Sequence, residues 1–209
     1  MRPSSLAETP PYIPGRRGAC RPRCLSIPFK AVVAAWVLLH LSSALGQHAK
    51  PTEYEVKASY LYNFSKFVQW PGQASPAQSD AFAICVIGED PFGRALHATV
   101  ENETVAGKRV VVKQIPVSED AVSCRILFIS SSEEQRLQQV LTSLGGASVL
   151  TVSDLPKFAQ RGGMVQFVLE GNRVRFEVNS AAAERAGLRL SSELLKVAVN
   201  VRRSIQVGD

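Results

Sequence analysis

Four short apolar runs, separated by stretches with helical punctuation, constrain this chain more than any other feature. The first, AFAICVI at residues 81–87, is apolar at every position. A strand with one wet face alternates apolar and polar residues, so an unbroken run of this length reads as a strand covered on both faces. Val110-Val111-Val112, RILFIS at 125–130 and ASVLTV at 147–152 repeat the pattern. Helix signals lie between them. Asp90 is placed to cap a short helix starting at Pro91, and Ser132-Glu133-Glu134 opens one that runs through Leu137, Val140, Leu141 and Leu144. Gly145-Gly146 ends that helix, and Asp154 is expected to cap another with Phe158 facing in. Strands alternating with helices predict a mainly parallel sheet with helices on its faces.

The last third changes character. Residues 165–169 and 173–178 flank Gly171-Asn172, a two-residue hairpin signal. Setting Glu170 opposite Arg173 brings Leu169 to Val174, Phe167 to Phe176 and Val165 to Val178 on one face. The other face pairs Val168 with Arg175 and Gln166 with Glu177. One apolar and one mostly charged face is what a half-buried antiparallel pair requires. A final helix follows Ser191-Ser192-Glu193, with Leu194, Leu195, Val197, Ala198 and Val201 inward, and residues 71–80 (PGQASPAQSD) read as a loop. The expected fold is a single α/β domain, with a mainly parallel central sheet, flanking helices and a C-terminal antiparallel hairpin. No internal repeat or second domain is visible.

Six of the fifteen aromatic residues fall within residues 54–70: Tyr54, Tyr60, Tyr62, Phe64, Phe67 and Trp70. As a helix, this stretch places Tyr54, Ala58, Leu61, Tyr62, Phe64 and Val68 on one face, with Val56, Tyr60 and Phe67 beside it. That apolar arc is wider than the roughly 100° a single core contact needs. Deep burial explains it, since aromatic residues dominate cores. A partner or dimer contact explains it too, and Val56, Tyr60, Phe67 and Trp70 are the candidates.

Residues 31–45 (AVVAAWVLLHLSSAL) follow five basic residues and end at small side chains, the layout of a secretory signal. A signal peptide over 1–46 leaves a domain at 47–209 with a core at about 53–201. The leader takes six of the 24 basic residues and one of the 18 acidic ones, so the remainder carries 18 − 17 = +1. The basic balance belongs to the leader, which removes the electrostatic basis for nucleic-acid binding. Two cysteines remain, Cys85 and Cys124. In an exported domain they are most simply a disulfide, the alternative being two buried thiols.

Catalytic chemistry finds little support. Hydrolases need a base beside a nucleophile, and the domain interior offers only His97, flanked by Leu96 and Ala98 in a helix. Residues 88–93 (GEDPFG) lack the glycines of a dinucleotide loop and the Gly-Lys of a P-loop. Two cysteines and His97 do not complete a zinc site, and no metal or cofactor is expected. Glu170, Arg173, Arg175 and Glu177 form either a polar ligand site or a cross-strand ion-pair ladder.

Several ordered blocks resemble the YfiR family of periplasmic proteins. They are Glu55-Val56-Lys57-Ala58; Leu61-Tyr62-Asn63-Phe64-Ser65-Lys66-Phe67-Val68-Gln69-Trp70-Pro71; Cys85-Val86-Ile87-Gly88 with Asp90-Pro91-Phe92-Gly93; Leu150-Thr151-Val152-Ser153-Asp154; Gly162-Gly163-Met164 through Phe167; Asn172-Arg173-Val174-Arg175-Phe176-Glu177-Val178-Asn179; and Leu190-Ser191-Ser192-Glu193-Leu194-Leu195-Lys196. The resemblance implies a non-enzymatic protein with a cysteine pair that maps onto Cys85 and Cys124. A second, C-terminal disulfide of some members has no counterpart, since no cysteine follows Cys124. It also implies a homodimer that represses an inner-membrane diguanylate cyclase by binding its periplasmic sensor domain, lowering cyclic-di-GMP and biofilm formation. The alternatives are an accessory role to another membrane signalling protein, such as a histidine kinase, or a small-ligand receptor with its pocket near Gly88 or beside Arg175.

Overall fold

The computed structural model describes residues 50–71, 81–116 and 118–203. The expected signal peptide and most of the 71–80 loop lie outside them. The first helix, α1 (Glu53–Phe67), starts at a capping box. Thr52 Oγ1 accepts from Glu55 N at 3.3 Å while Glu55 Oε2 accepts from Thr52 N at 2.6 Å, so two otherwise orphaned donors are satisfied. The helix ends at Phe67, earlier than its aromatic pattern predicts. Val68 and Gln69 form β1 instead, paired antiparallel with β9 (Arg189–Leu190).

The remaining strands are β2 (Ala81–Ile87), β3 (Thr104–Val105), β4 (Lys108–Ile115), β5 (Ile126–Ile129), β6 (Leu150–Ser153), β7 (Val165–Glu170), β8 (Arg173–Asn179) and β10 (Asn200–Arg202). They form one eight-stranded sheet in the order β10-β8-β7-β6-β5-β2-β4-β3. From β4 to β7 every neighbouring pair is parallel. The hairpin β7–β8 has the expected register, from Glu170↔Arg173 to Val165↔Val178. Gly171 and Asn172 both take positive φ, 53° and 60°, as a two-residue turn of this hand requires. The chain passes from β2 outward to β4 and then back across to β5, so the ends of β2 and β5 are a topological switch point.

Successive side chains of a strand point to opposite faces, and β2 supplies both cores in that way. Phe82, Ile84 and Val86 join Leu61, Phe64, Phe128 and Phe176 beneath α1, while Ala83, Cys85 and Ile87 join Leu127, Leu137 and Phe158 on the far side. Cys85 on β2 and Cys124 before β5 are disulfide-bonded on that far side, with Cα atoms 6.0 Å apart.

Several local expectations are corrected. The helix after β2 is α2 (Arg94–Val100), and Asp90 does not cap it. Its Oδ1 accepts from Phe92 N at 2.8 Å in a turn that precedes the helix. The helical segment after β5 begins as a 3₁₀ turn (Ser131–Arg136) and becomes α3 (Leu137–Ser143). After β6 the chain makes turns rather than a helix, and Ser153 Oγ accepts from Leu155 N at 3.1 Å. Phe158 is buried as expected, against Gly163, where a Cβ would overlap its ring. After α4 (Ser180–Arg185) comes α5 (Ser192–Val197), capped by Ser191, which buries Leu194. Val197 is exposed, and Val201 belongs to β10, which adds parallel to β8. A short run such as 200–202 carries too little periodicity to be read as a strand from sequence.

Candidate docking surface and strand-end pocket

The aromatic helix divides its side chains between core and surface. Phe64 is buried and its ring stands 5.2 Å from Phe176 at 78°. Tyr60, a contact candidate from the sequence, instead lies with its ring 5.5 Å from Phe176 and 6.0 Å from Phe167, half-buried in the same cluster. Trp70 leaves the surface altogether: it is 4% exposed, its Nε1 donates to Arg125 O at 3.2 Å, and its ring meets Phe82 edge-on. The physical reason is the early helix end. With residues 68–69 extended as a strand, Trp70 turns beneath the sheet rather than continuing the helical stripe.

Phe67 stays outside, while Val56, towards the other end of α1, is half-buried against the edge of the core. Phe67 is 38% exposed, and its carbonyl accepts from Ser191 N at 2.9 Å. Val56 lines a groove of about 310 Å³ with Pro51, Leu169, Arg173 and Val174. Leu169 sits on the apolar face of the hairpin opposite Val174 but is 56% exposed. The rings of Tyr60 and Phe64 cover Phe167 and Phe176, one cross-strand pair short of it. The sequence therefore brings Val56 and Arg173 together with an uncovered leucine. The four charged hairpin residues are only partly gathered. Glu170 faces Arg173, whereas Arg175 and Glu177 oppose Val168 and Gln166, and no ion pair joins the four among the described residues.

One charged cluster escaped the sequence reading. Lys57 is 3% exposed, with Nζ 2.6 Å from Asp154 Oδ2 and 2.5 Å from Glu53 Oε1. The hydroxyl of Tyr54 donates to the same Asp154 oxygen at 3.0 Å. Burial pulls the Lys57 ammonium down, but its hydrogen bonds to Asp154 and Glu53 outweigh that, and its pKa is raised overall. Tyr54 is also raised, by burial first and by the Asp154 charge second. The Glu53/Lys57 spacing of four is visible in the sequence as a helix pair. Asp154, at the end of β6, is 97 residues away from Lys57, and nothing local announces it.

A second concavity, of about 610 Å³, opens at the switch point beside Gly88, Gln114, Ser132, Glu133 and Arg136. Gly88 has φ 88°, and a Cβ there would overlap Ser132 Oγ. Ser132 Oγ accepts from Glu89 N at 2.9 Å, and Gln114 Nε2 donates to Gly88 O at 3.1 Å. Glu133 is buried, held by Arg136, whose guanidinium nitrogen is 2.8 Å from one carboxylate oxygen and 2.7 Å from the other. Residues 88–93 follow directly on β2, and the concavity is lined by two acids, Glu89 and Glu133, beside the single base Arg136, a balance that disfavours phosphate.

His97 lies on the exposed side of α2. Among the described residues no group of three or more His, Cys, Asp or Glu side chains could hold a metal ion. The geometry is that of a disulfide-bonded α/β domain. A family profile described as YfiR/HmsC-like matches residues 54–199, and the chain belongs to that family, whose members are non-enzymatic regulatory proteins. Among solved structures, a conserved domain protein from Vibrio cholerae O1 biovar El Tor str. N16961 superposes with TM-score 0.50 at 11% identity, covering 74% of this chain and 62% of that one. An ABC domain in complex with L-Trp from Streptococcus pneumonia gives TM-score 0.48 at 12% identity, covering 69% of this chain and 60% of that one. This chain thus spans about three-fifths of either structure, and the first likeness concerns the fold alone.

Proposed function

We propose that this protein is a periplasmic regulator that binds the periplasmic sensor domain of an inner-membrane diguanylate cyclase and holds the enzyme off, lowering cyclic-di-GMP and biofilm formation. Family membership across residues 54–199 is the observation that carries this reading. Export through a signal peptide at 1–46 is supported by the Cys85–Cys124 disulfide, which persists in oxidising compartments. Docking uses the groove of Val56, Leu169, Arg173 and Val174, where an apolar centre carries a polar rim as protein interfaces do. Exposed Phe67 is the contact for a homodimer. The test is a pull-down from membranes with tagged mature protein, alongside the variant Leu169→Asp. Recovery of a diguanylate cyclase by the wild type and its loss in the variant are expected; retention by a folded Leu169→Asp protein removes the groove from the reading.

A second reading, a receptor for a small polar ligand, is favoured by the 610 Å³ concavity at the switch point. A thermal-shift screen with periplasmic metabolites separates the two, because a ligand selective for the folded state raises the melting temperature. A hit abolished by Arg136→Ala supports the receptor, and an empty screen removes it.

A further inference from the structure

The eight-stranded sheet ends in a short flap. Strand β3 pairs with only the first two residues of β4, Thr104↔Arg109 and Val105↔Lys108. Beyond them, the outer side of β4 carries no strand among the described residues. The phase of that edge is fixed by Val110 N, which donates outward to Glu103 O at 3.0 Å. Backbone groups of alternate residues share a side, so those of Val112 and Gln114 also point outward. Among the described residues no backbone partner outside β4's own ladder meets them. Beside this edge runs a groove of about 520 Å³ between β4 and α2. Arg94, His97 and Ala98 line it from α2, at the i, i+3, i+4 spacing of one helix face, and Glu101 lines it from the helix C-cap.

A sheet edge beside a helix is the geometry in which an extended peptide adds as a strand, its backbone bonding the edge and its side chains meeting the helix. The charges select the occupant. Arg94 faces the groove and Arg109 and Lys113 flank the edge, all three exposed, against Glu101 at the groove and Glu103, whose carboxylate is engaged by the Tyr62 hydroxyl. A second copy offering the same edge would set Arg109 and Lys113 against their equivalents, the like-charge arrangement by which natural edges avoid self-pairing. We propose that the β4 edge and α2 together form a second docking site, which accepts an acidic, extended peptide segment as an added strand. It is separate from the Leu169 groove and does not depend on the cyclase reading.

The probe is a fluorescein-labelled peptide alternating Val and Glu, titrated into oxidised mature protein and followed by anisotropy. Saturable binding that weakens with added salt is expected, and the matching peptide alternating Val and Lys does not bind. Val112→Pro deletes one outward N–H while leaving the β2 side of the ladder intact, and weakens binding roughly tenfold. Val112→Ala keeps that N–H and stays close to wild type. Arg94→Glu, on the helix and exposed, weakens binding several-fold and keeps the proposal testable should Val112→Pro fail to fold. Equal binding of the basic peptide, no binding of the acidic one, or unchanged affinity in folded Val112→Pro or Arg94→Glu protein overturns it. So does self-association that Val112→Pro abolishes, which would assign the edge to a second copy.

Discussion

Replacing Lys57 by methionine keeps the length of the side chain and removes its charge, and the cost can be worked from its surroundings. The Glu53 arm is a helix pair whose acid side chain is 39% exposed, worth about 0.3–0.5 kcal/mol. The Asp154 arm differs: the lysine side chain is 4% and the aspartate side chain 15% exposed. Deleting one partner of a buried pair leaves the other charge uncompensated, at about 3–5 kcal/mol. Tyr54 still donates to Asp154, which points to the lower end, about 3 kcal/mol. The double variant Lys57→Met/Asp154→Leu removes both charges and should recover most of that loss, because apolar replacement of a whole buried pair is often near neutral. Urea unfolding of the oxidised mature domain, followed by circular dichroism, measures Lys57→Met, Asp154→Leu and the double variant against wild type at constant slope. The pH dependence has a definite sign. Lys57 is raised above its unfolded value, so its contribution is complete below the ordinary lysine value of roughly 10.4 and is lost as pH rises through the folded one. Raised Tyr54 acts in the same direction. Stability from this cluster is therefore level at neutral pH and declines only in the alkaline range, and Lys57→Met flattens that decline. A single-variant loss below about 1 kcal/mol, or a double variant costing the sum of the two singles, refutes the reasoning.

Replacing Cys85 and Cys124 together by serine should destabilise the domain by about 4 kcal/mol in the chain-entropy model, measured by urea unfolding against the oxidised wild type. Gly163→Ala places a methyl into the Phe158 ring and should cost about 1–3 kcal/mol, read as a lowered melting temperature. Leu169→Asp and Tyr60→Asp should separate surface from core: the first leaves the free energy of urea unfolding within about 0.5 kcal/mol of wild type. The second, set among Phe64, Phe167 and Phe176, lowers it by more than 2 kcal/mol, as burying an unpaired charge does, roughly.

The strands that were legible were those whose pattern is local. AFAICVI at 81–87 became β2 residue for residue, and the hairpin register followed from two turn residues and one apolar face. Thr52 and Glu55 spell a capping box, a local signal that fixes where α1 begins. The misplacements share a cause: local signals with two uses. Asp90 and Asp154 both look like helix caps, but one closes a turn and the other is recruited by Lys57 across the fold. Trp70 and Tyr60 look like surplus surface on a helix wheel, which assumes that the helix continues and that only one element packs on it. The chain breaks the first assumption at Val68, and the hairpin breaks the second at Phe176. The disulfide was readable from composition, whereas the switch-point pocket and the open edge of β4 depend on strand order, which no local pattern encodes.

Cyclic-di-GMP in cells lacking this protein, then supplied with the wild type or with Leu169→Asp, tests the regulatory account most directly. The account predicts a rise on deletion, a return to baseline with the wild type, and a level that stays high with an exported, folded Leu169→Asp protein. An unchanged level on deletion, with no cyclase recovered from membranes, contradicts it.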